Sequence, residues 1–309
     1  VIRPELWTAR LACLLAMVAA TPADAQRTAL ATDKAKAAHG DDEWVRFRKD
    51  AAGKPIGLET AVARYEGTPP GTRQPVVVDL IGAIHVGDRT YYEHLNRRFR
   101  TYGAVLYELV APKGTVVPRG GRVDSANPLG AMQNGMKGML DLEHQLEIVD
   151  YTRPNFVHAD MSPEKLFATM EKRDESVLKM YFRMVGQSIA EQTKMARKGE
   201  SAEVDMMKAL FSKDRPRRLK ISMASQLTQL EGLLTSFGGE KGSTLIHERN
   251  RTAMDVLAEQ IAAGQRSLGI FYGAGHLTDM DKRLRERFGL RQTGKEWVMA
   301  WDLAEEMKD

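Results

Sequence analysis

Cysteine is all but missing from this chain: Cys13 is the only one, and it lies inside an apolar N-terminal stretch before that run is complete. It is poorly placed for lipid attachment. Once that stretch is removed, no disulfide, thiolate metal ligand or cysteine nucleophile can be invoked. Aromatic residues are scarce at 7%, and none falls within the densest basic cluster, Arg215-Pro216-Arg217-Arg218-Leu219-Lys220. Nucleic-acid binding needs a basic face with stacking aromatics. The cluster therefore reads as a solvated turn, and no nucleic-acid partner is expected. The formal charge of +4 is mild for 309 residues. Beyond residue 26 no run is long and apolar enough to span the ~30 Å hydrocarbon core of a bilayer. Neither a phosphate-binding loop nor a dinucleotide fingerprint occurs.

What is present begins with an export signal. Arg3 and Arg10 precede the apolar stretch Leu11–Ala20, and Ala23-Asp24-Ala25 then offers an A-x-A cleavage site. Residues 1–25 read as a signal peptide, too short to remain as a transmembrane anchor, which implies a periplasmic or secreted protein. A polar, flexible segment is expected over 26–42, followed by a single α/β domain over 43–309. With 43% hydrophobic residues the chain can build a substantial core.

Alternating residues at Trp44–Arg48 and Leu58–Tyr65 flank the turn-like Asp50-Ala51-Ala52-Gly53 and predict a β-hairpin. The apolar run Val76–Ile81 is closed by Gly82-Ala83-Ile84-His85. A second apolar run, Leu268–Tyr272, is closed by Gly273-Ala274-Gly275-His276. Each histidine is followed by a helix-like stretch and another apolar strand, Ala104–Val110 carrying Glu108 in the first copy and Trp297–Leu303 carrying Asp302 in the second. Two such strand-GxxH-helix-strand units would place both imidazoles at the carboxyl ends of parallel strands, where open α/β sheets bind ligands. Between them the pattern turns helical, with start signals at Asn127-Pro128 and Ser162-Pro163-Glu164, so a helical insertion is expected at about 127–242. The fold class is thus α/β, a mixed and largely parallel sheet with that insertion. Twelve of the sixteen methionines lie between Met132 and Met254. They serve either as adaptable core filling or as a greasy cleft over the site.

A histidine ending an apolar strand is commonly a hydrogen-bonded rim residue, but two in matching contexts point to a site. Glu108 interrupts an apolar run, where a carboxylate needs a cation, a metal or a donor. His85, Glu108 and His276 form a nitrogen and oxygen set suited to manganese, cobalt, zinc or iron, with room for water. Asp79, in the strand leading to His85, could orient a ring or pair with an arginine. In His247-Glu248-Arg249-Asn250-Arg251, Asn250 shares a helical face with Ile246, Ala253, Met254, Leu257 and Ile261, so its amide points into the core. Arg249 flanks that face and could reach a carboxylate or an oxyanion. Glu248 and Arg251 read first as an exposed pair. His158 and Asp160 could add a ligand or a base, or cap the following helix. His94 and His144 read as surface residues, and Ser162-Pro163-Glu164-Lys165 as a helix cap.

The ordered set GAIH, Glu108, Glu248-Arg249-Asn250 and GAGHL resembles the TraB/PrgY/GumN family, which includes the Tiki proteins. The likeness is carried by Val76–Val110 and Ser243–Leu277. It implies the erythromycin esterase/ChaN-like fold and metal-dependent peptide hydrolysis, with His85, Glu108 and His276 at the centre and Arg249 and Asn250 in support. Peptides or small molecules are then the expected substrates. The same relations leave open a metal-free esterase-like enzyme and a non-catalytic periplasmic protein that binds haem, metal or peptide.

Overall fold

The Trp44–Arg48 and Leu58–Tyr65 alternation does fold as a hairpin. Strands β1 (Val45–Lys49) and β2 (Pro55–Gly67) pair antiparallel around a turn in which Asp50 Oδ1 accepts from the N–H groups of Ala52 and Lys54 and Gly53 takes φ 80°. These come from a computed structural model that describes residues 43–112, 114–115, 117–120, 142–173, 214–224 and 244–304. The expected signal peptide, the segment 26–42 and most of the expected insertion, with many of its methionines, lie outside the described residues.

The remaining strands of the main sheet are β3 (Val76–Ala83), β5 (Ala104–Tyr107), β7 (Phe156–His158), β8 (Ser267–Gly273) and β9 (Arg291–Asp302). β3 runs antiparallel to β2, while β3, β8, β5 and β7 lie side by side and parallel in that order. β9 pairs antiparallel with almost the whole of β2. A strand has two edges, so β1 and β3 share the other one, end to end. The class is therefore α/β with a mixed, largely parallel sheet, as expected.

Several expectations need correction. The second GxxH unit does not return to the parallel group, because the long β2 offers β9 a full antiparallel edge. Asp302 consequently ends exposed, its N–H donating to Asp88 Oδ2, and has no role like that of Glu108. β5 stops at Tyr107 rather than Val110 because Glu108, after giving its N–H to the Phe271 carbonyl, turns its side chain across to β8. The stretch read as helical also contains β7 and β6 (Glu143–His144), which forms a short antiparallel ladder with β4 (Val86–Gly87). His144 in that ladder is buried, not a surface residue. Residues 215–224 are helical rather than a solvated turn; Leu219 is buried, Arg217 donates to the Leu303 carbonyl and Lys220 pairs with Asp88.

Helices cover the central strands, whose residues are almost all buried, as parallel strands require. α1 (Arg89–Phe99) buries Tyr91, Tyr92, Leu95 and Phe99. Two short helices follow, α2 (Gln145–Ile148) and α3 (Pro163–Lys172), the latter capped by Ser162 with proline at its first turn. α4 (Arg249–Ala262) is preceded by a π-helical turn, Thr244–Glu248, and buries the face predicted for it. α5 (Leu277–Phe288) buries Leu277, Met280, Leu284 and Phe288 at helical spacing. It ends at Gly289 with φ 65°, where Leu290 N–H bonds back to the Leu284 carbonyl.

Candidate functional site

Each of the four parallel strands delivers one candidate side chain just past its carboxyl end: His85 after β3, His276 after β8, Glu108 after β5 and Asp160 after β7. This is the edge at which open α/β sheets bind ligands. The first turn of α4 adds Arg249 and Asn250 above it.

Arg249 is the hub. Its Nε and Nη2 bond both oxygens of Asp160 at 2.9 and 2.6 Å, and Nη2 also donates to Glu108 Oε1 at 2.7 Å. Asp160 is further held by the Met161 N–H, and Glu108 Oε2 by the Gly273 N–H at 2.7 Å. That last bond explains the first glycine of GAGH, since a Cβ at 273 would stand 3.1 Å from Glu108 Oε2. The matching Gly82 answers a different need, because a Cβ there would meet the Ala61 carbonyl of β2 at 3.1 Å. Burial opposes the charge on Glu108, yet His276, Arg249, His85 and the Gly273 N–H hold its pKa well below the ordinary 4.5. Burial likewise opposes the charge on Arg249, but Asp160 and Glu108 keep it firmly protonated.

Asn250 fixes the state of His276. Its Nδ2 donates to the His276 carbonyl at 2.9 Å and to Asp279 Oδ2 at 2.8 Å, so Oδ1 is the atom that faces His276 Nδ1 at 2.6 Å. An amide oxygen can only accept, so Nδ1 carries the hydrogen and Nε2 is left with a lone pair. Nε2 lies 3.5 Å from both Arg249 Nη1 and Glu108 Oε1. Burial lowers the His276 pKa from 6.5 to about 4; Glu108 pulls the other way and Arg249 reinforces the shift. The imidazole is therefore neutral at pH 7, with Tyr272 edge-on at 5.3 Å between ring centroids.

His85 is exposed. The chain after it enters the β4–β6 ladder with Val86 buried, which turns the neighbouring side chain outward. The loop itself is pinned: Tyr91 and Tyr92 hydroxyls donate to the Gly82 and Ile84 carbonyls, and Gln145 N–H donates to the His85 carbonyl.

Of the residues singled out in the sequence, the structure gathers Glu108, Asp160, Arg249, Asn250 and His276, with His85 at the rim. Asp79 stands apart. It is wholly buried about 13 Å back along β3 from Ala83, at roughly 3.3 Å per residue. There Arg64, Arg98 and Tyr102 donate to its carboxylate, so it orients no imidazole and is instead the arginine partner also foreseen for it. Glu248 pairs with Arg173 and Arg251 rather than with the site. His158 lies beside the group, but its Nε2 is bound to the Leu109 carbonyl at 2.6 Å. Asp279 was missed, although His276 and Asp279 are three apart in a helix start and so share a face. Gln145 and Tyr151, next to the GAIH loop, carried no sequence signal.

A divalent ion does not fit this arrangement. Among the described residues no group of three or more His, Cys, Asp or Glu could hold one. The guanidinium of Arg249 is already the cation on Glu108 and stands beside His276 Nε2. Two carboxylates, one guanidinium and a neutral imidazole leave one net negative charge, largely but not wholly shielded from water. Comparisons with family models, with curated proteins and with solved structures gave no match.

Proposed function

We propose that this protein is an exported hydrolase of the TraB/PrgY/GumN type, acting on peptides or other small carbonyl substrates without a bound metal. The observation that carries this reading is the Nε2 lone pair of His276, fixed by Asn250 and set between Glu108 and Arg249. Nε2 takes the proton of an attacking water, and the imidazolium so formed is stabilised by Glu108 3.5 Å away. Arg249 is held by Asp160 and Glu108, and its Nη1, which donates weakly to the Leu245 carbonyl and to His276 Nε2, turns from that nitrogen to the oxygen on which negative charge develops as Nε2 takes up its proton. The imidazolium then returns that proton to the leaving nitrogen or oxygen as the bond to it breaks, and the leaving group departs past His85 at the exposed rim.

The metal-dependent form implied by the motifs is the second reading. It is favoured by the placement of His85, Glu108 and His276 at the ends of neighbouring parallel strands, and it requires Arg249 to release Glu108. The test is turnover of a peptide mixture and of simple amides and esters by the purified chain, with chelator or with added manganese, cobalt, zinc or iron, alongside His276→Ala. Chelator-resistant turnover that vanishes in His276→Ala supports the first reading. Turnover that needs the added ion supports the second. No turnover, together with a Soret band on haem titration or peptide binding, would replace both with a non-catalytic binding protein.

A further inference from the structure

The guanidinium that keeps a divalent ion out of the site also gathers the groups suited to hold one. Arg249 Nη2 bonds Glu108 Oε1 at 2.7 Å and Asp160 Oδ2 at 2.6 Å, so these two oxygens stand no more than two hydrogen-bond lengths apart. His276 Nε2, its lone pair set by the Asn250 contact at Nδ1, lies 3.5 Å from Arg249 Nη1 and 3.5 Å from Glu108 Oε1. Two donors on one tetrahedral zinc, with bonds near ~2.1 Å, are about 3.4 Å apart. Glu108 and His276 already have that spacing.

The supports behind these donors are those a metal site uses. A ligating histidine ordinarily gives its other ring N–H to a fixed acceptor, and Asn250 Oδ1 is that acceptor at 2.6 Å. Asp160 accepts the Met161 N–H and Glu108 the Gly273 N–H, each through the oxygen that does not face Nη2. Glu108 Oε1, Asp160 Oδ2 and His276 Nε2 thus share Arg249 as their common contact. His85 is placed differently, exposed at the rim. As they stand the three donors hold no ion, because the guanidinium lies among them. Beside it a divalent cation meets a fixed like charge; without it, one such ion neutralises both carboxylates at once.

We infer that Arg249 occupies a latent divalent-metal site, and that its removal lets Glu108, Asp160 and His276 bind one ion. This ligand set differs from the one the motifs imply, with Asp160 in place of His85. The inference rests on the metal-free reading of the site and says what enforces it.

Zinc uptake by the full chain, measured by titration calorimetry and by elemental analysis after dialysis, needs no turnover. Arg249→Met should take up about one ion per chain and bind it at least about 100-fold more tightly than the wild type, the affinity equivalent of parting a buried ion pair. Cobalt in the same variant should give the visible absorption of a tetrahedral site. Arg249→Lys, which keeps the charge, should bind more weakly than Arg249→Met. In the Arg249→Met background, His276→Ala and Asp160→Asn should each abolish uptake and His85→Ala should not. If Arg249→Met is unfolded by circular dichroism in metal-free buffer, zinc should fold it. A variant that stays unfolded with zinc, equal binding by the lysine and methionine variants, uptake that ignores Asp160, or uptake lost with His85 would overturn the inference. Tight, His276-dependent zinc in the wild type would overturn both the inference and the metal-free reading. No uptake by folded Arg249→Met, beside chelator-resistant turnover by the wild type, would sink the inference and leave the hydrolase standing.

Discussion

Removing the guanidinium at the centre of the site should produce a destabilisation with a particular pH signature. In Arg249→Met the side chain still fills space, but three charge-assisted hydrogen bonds of 2.6 to 2.9 Å are lost. The Asp160 carboxylate is fully shielded from water and that of Glu108 is 14% exposed. Breaking a buried pair by deleting one partner leaves an uncompensated charge and costs about 3–5 kcal/mol. Without Arg249, burial gains weight at Glu108 and raises its folded pKa above that of the unfolded chain. A carboxyl group shifted in that direction contributes stability below its unfolded pKa, and that stability is lost as pH rises through the folded pKa. The gap between wild type and variant should therefore be largest near pH 7 and shrink toward pH 4. Urea denaturation of both proteins over that range measures it. A loss below about 1 kcal/mol at pH 7, or a gap that does not depend on pH, would refute the view of Arg249 as the ion that neutralises these two carboxylates.

Three further outcomes are expected. Asn250→Leu leaves His276 Nδ1 and the His276 carbonyl without partners while Asp279 keeps Arg283, so a loss of about 2–6 kcal/mol is expected in chemical denaturation, at roughly 1–3 kcal/mol for each of the two orphaned groups. Nitrogen-15 NMR of the wild type should show His276 protonated on Nδ1 alone at pH 7 and gaining its second proton only near pH 4. Because this folded pKa is depressed, the unfolded chain takes the proton first, and His276 destabilises the fold as pH falls from about 6.5 to 4. Asp79→Asn should lower stability by about 1–3 kcal/mol in the same denaturation assay, a loss held down because Arg64 is half exposed and Arg98 keeps Glu296, yet leave kcat/KM within about twofold of wild type.

The site was legible where local pattern and chemistry coincide. The two GxxH phrases mark strand ends because each follows an apolar run with glycine at a close approach, and Glu108 stands out as a charge inside such a run. Asn250 could be placed in the core from helical spacing alone, since its apolar neighbours recur on one face. The burial of His144 and the docking of Arg217 and Lys220 were not legible, because both depend on partners distant in sequence. Asp160 was visible only as one option among several, since nothing local says which cation it meets.

By itself the sequence determined the hairpin, the apolar strands, the capped and amphipathic helices and the two histidine turns, because these follow from periodicity and turn chemistry within short windows. Strand order was decided only in three dimensions. A parallel arrangement of β3, β8, β5 and β7 brings His85, His276, Glu108 and Asp160 to one edge, while the long free edge of β2 captures β9 and removes Asp302 from that group. The protonation state of His276 was also a tertiary matter. It depends on an amide from α4 whose orientation is set by Asp279 on α5, and on burial that no local pattern around the histidine encodes.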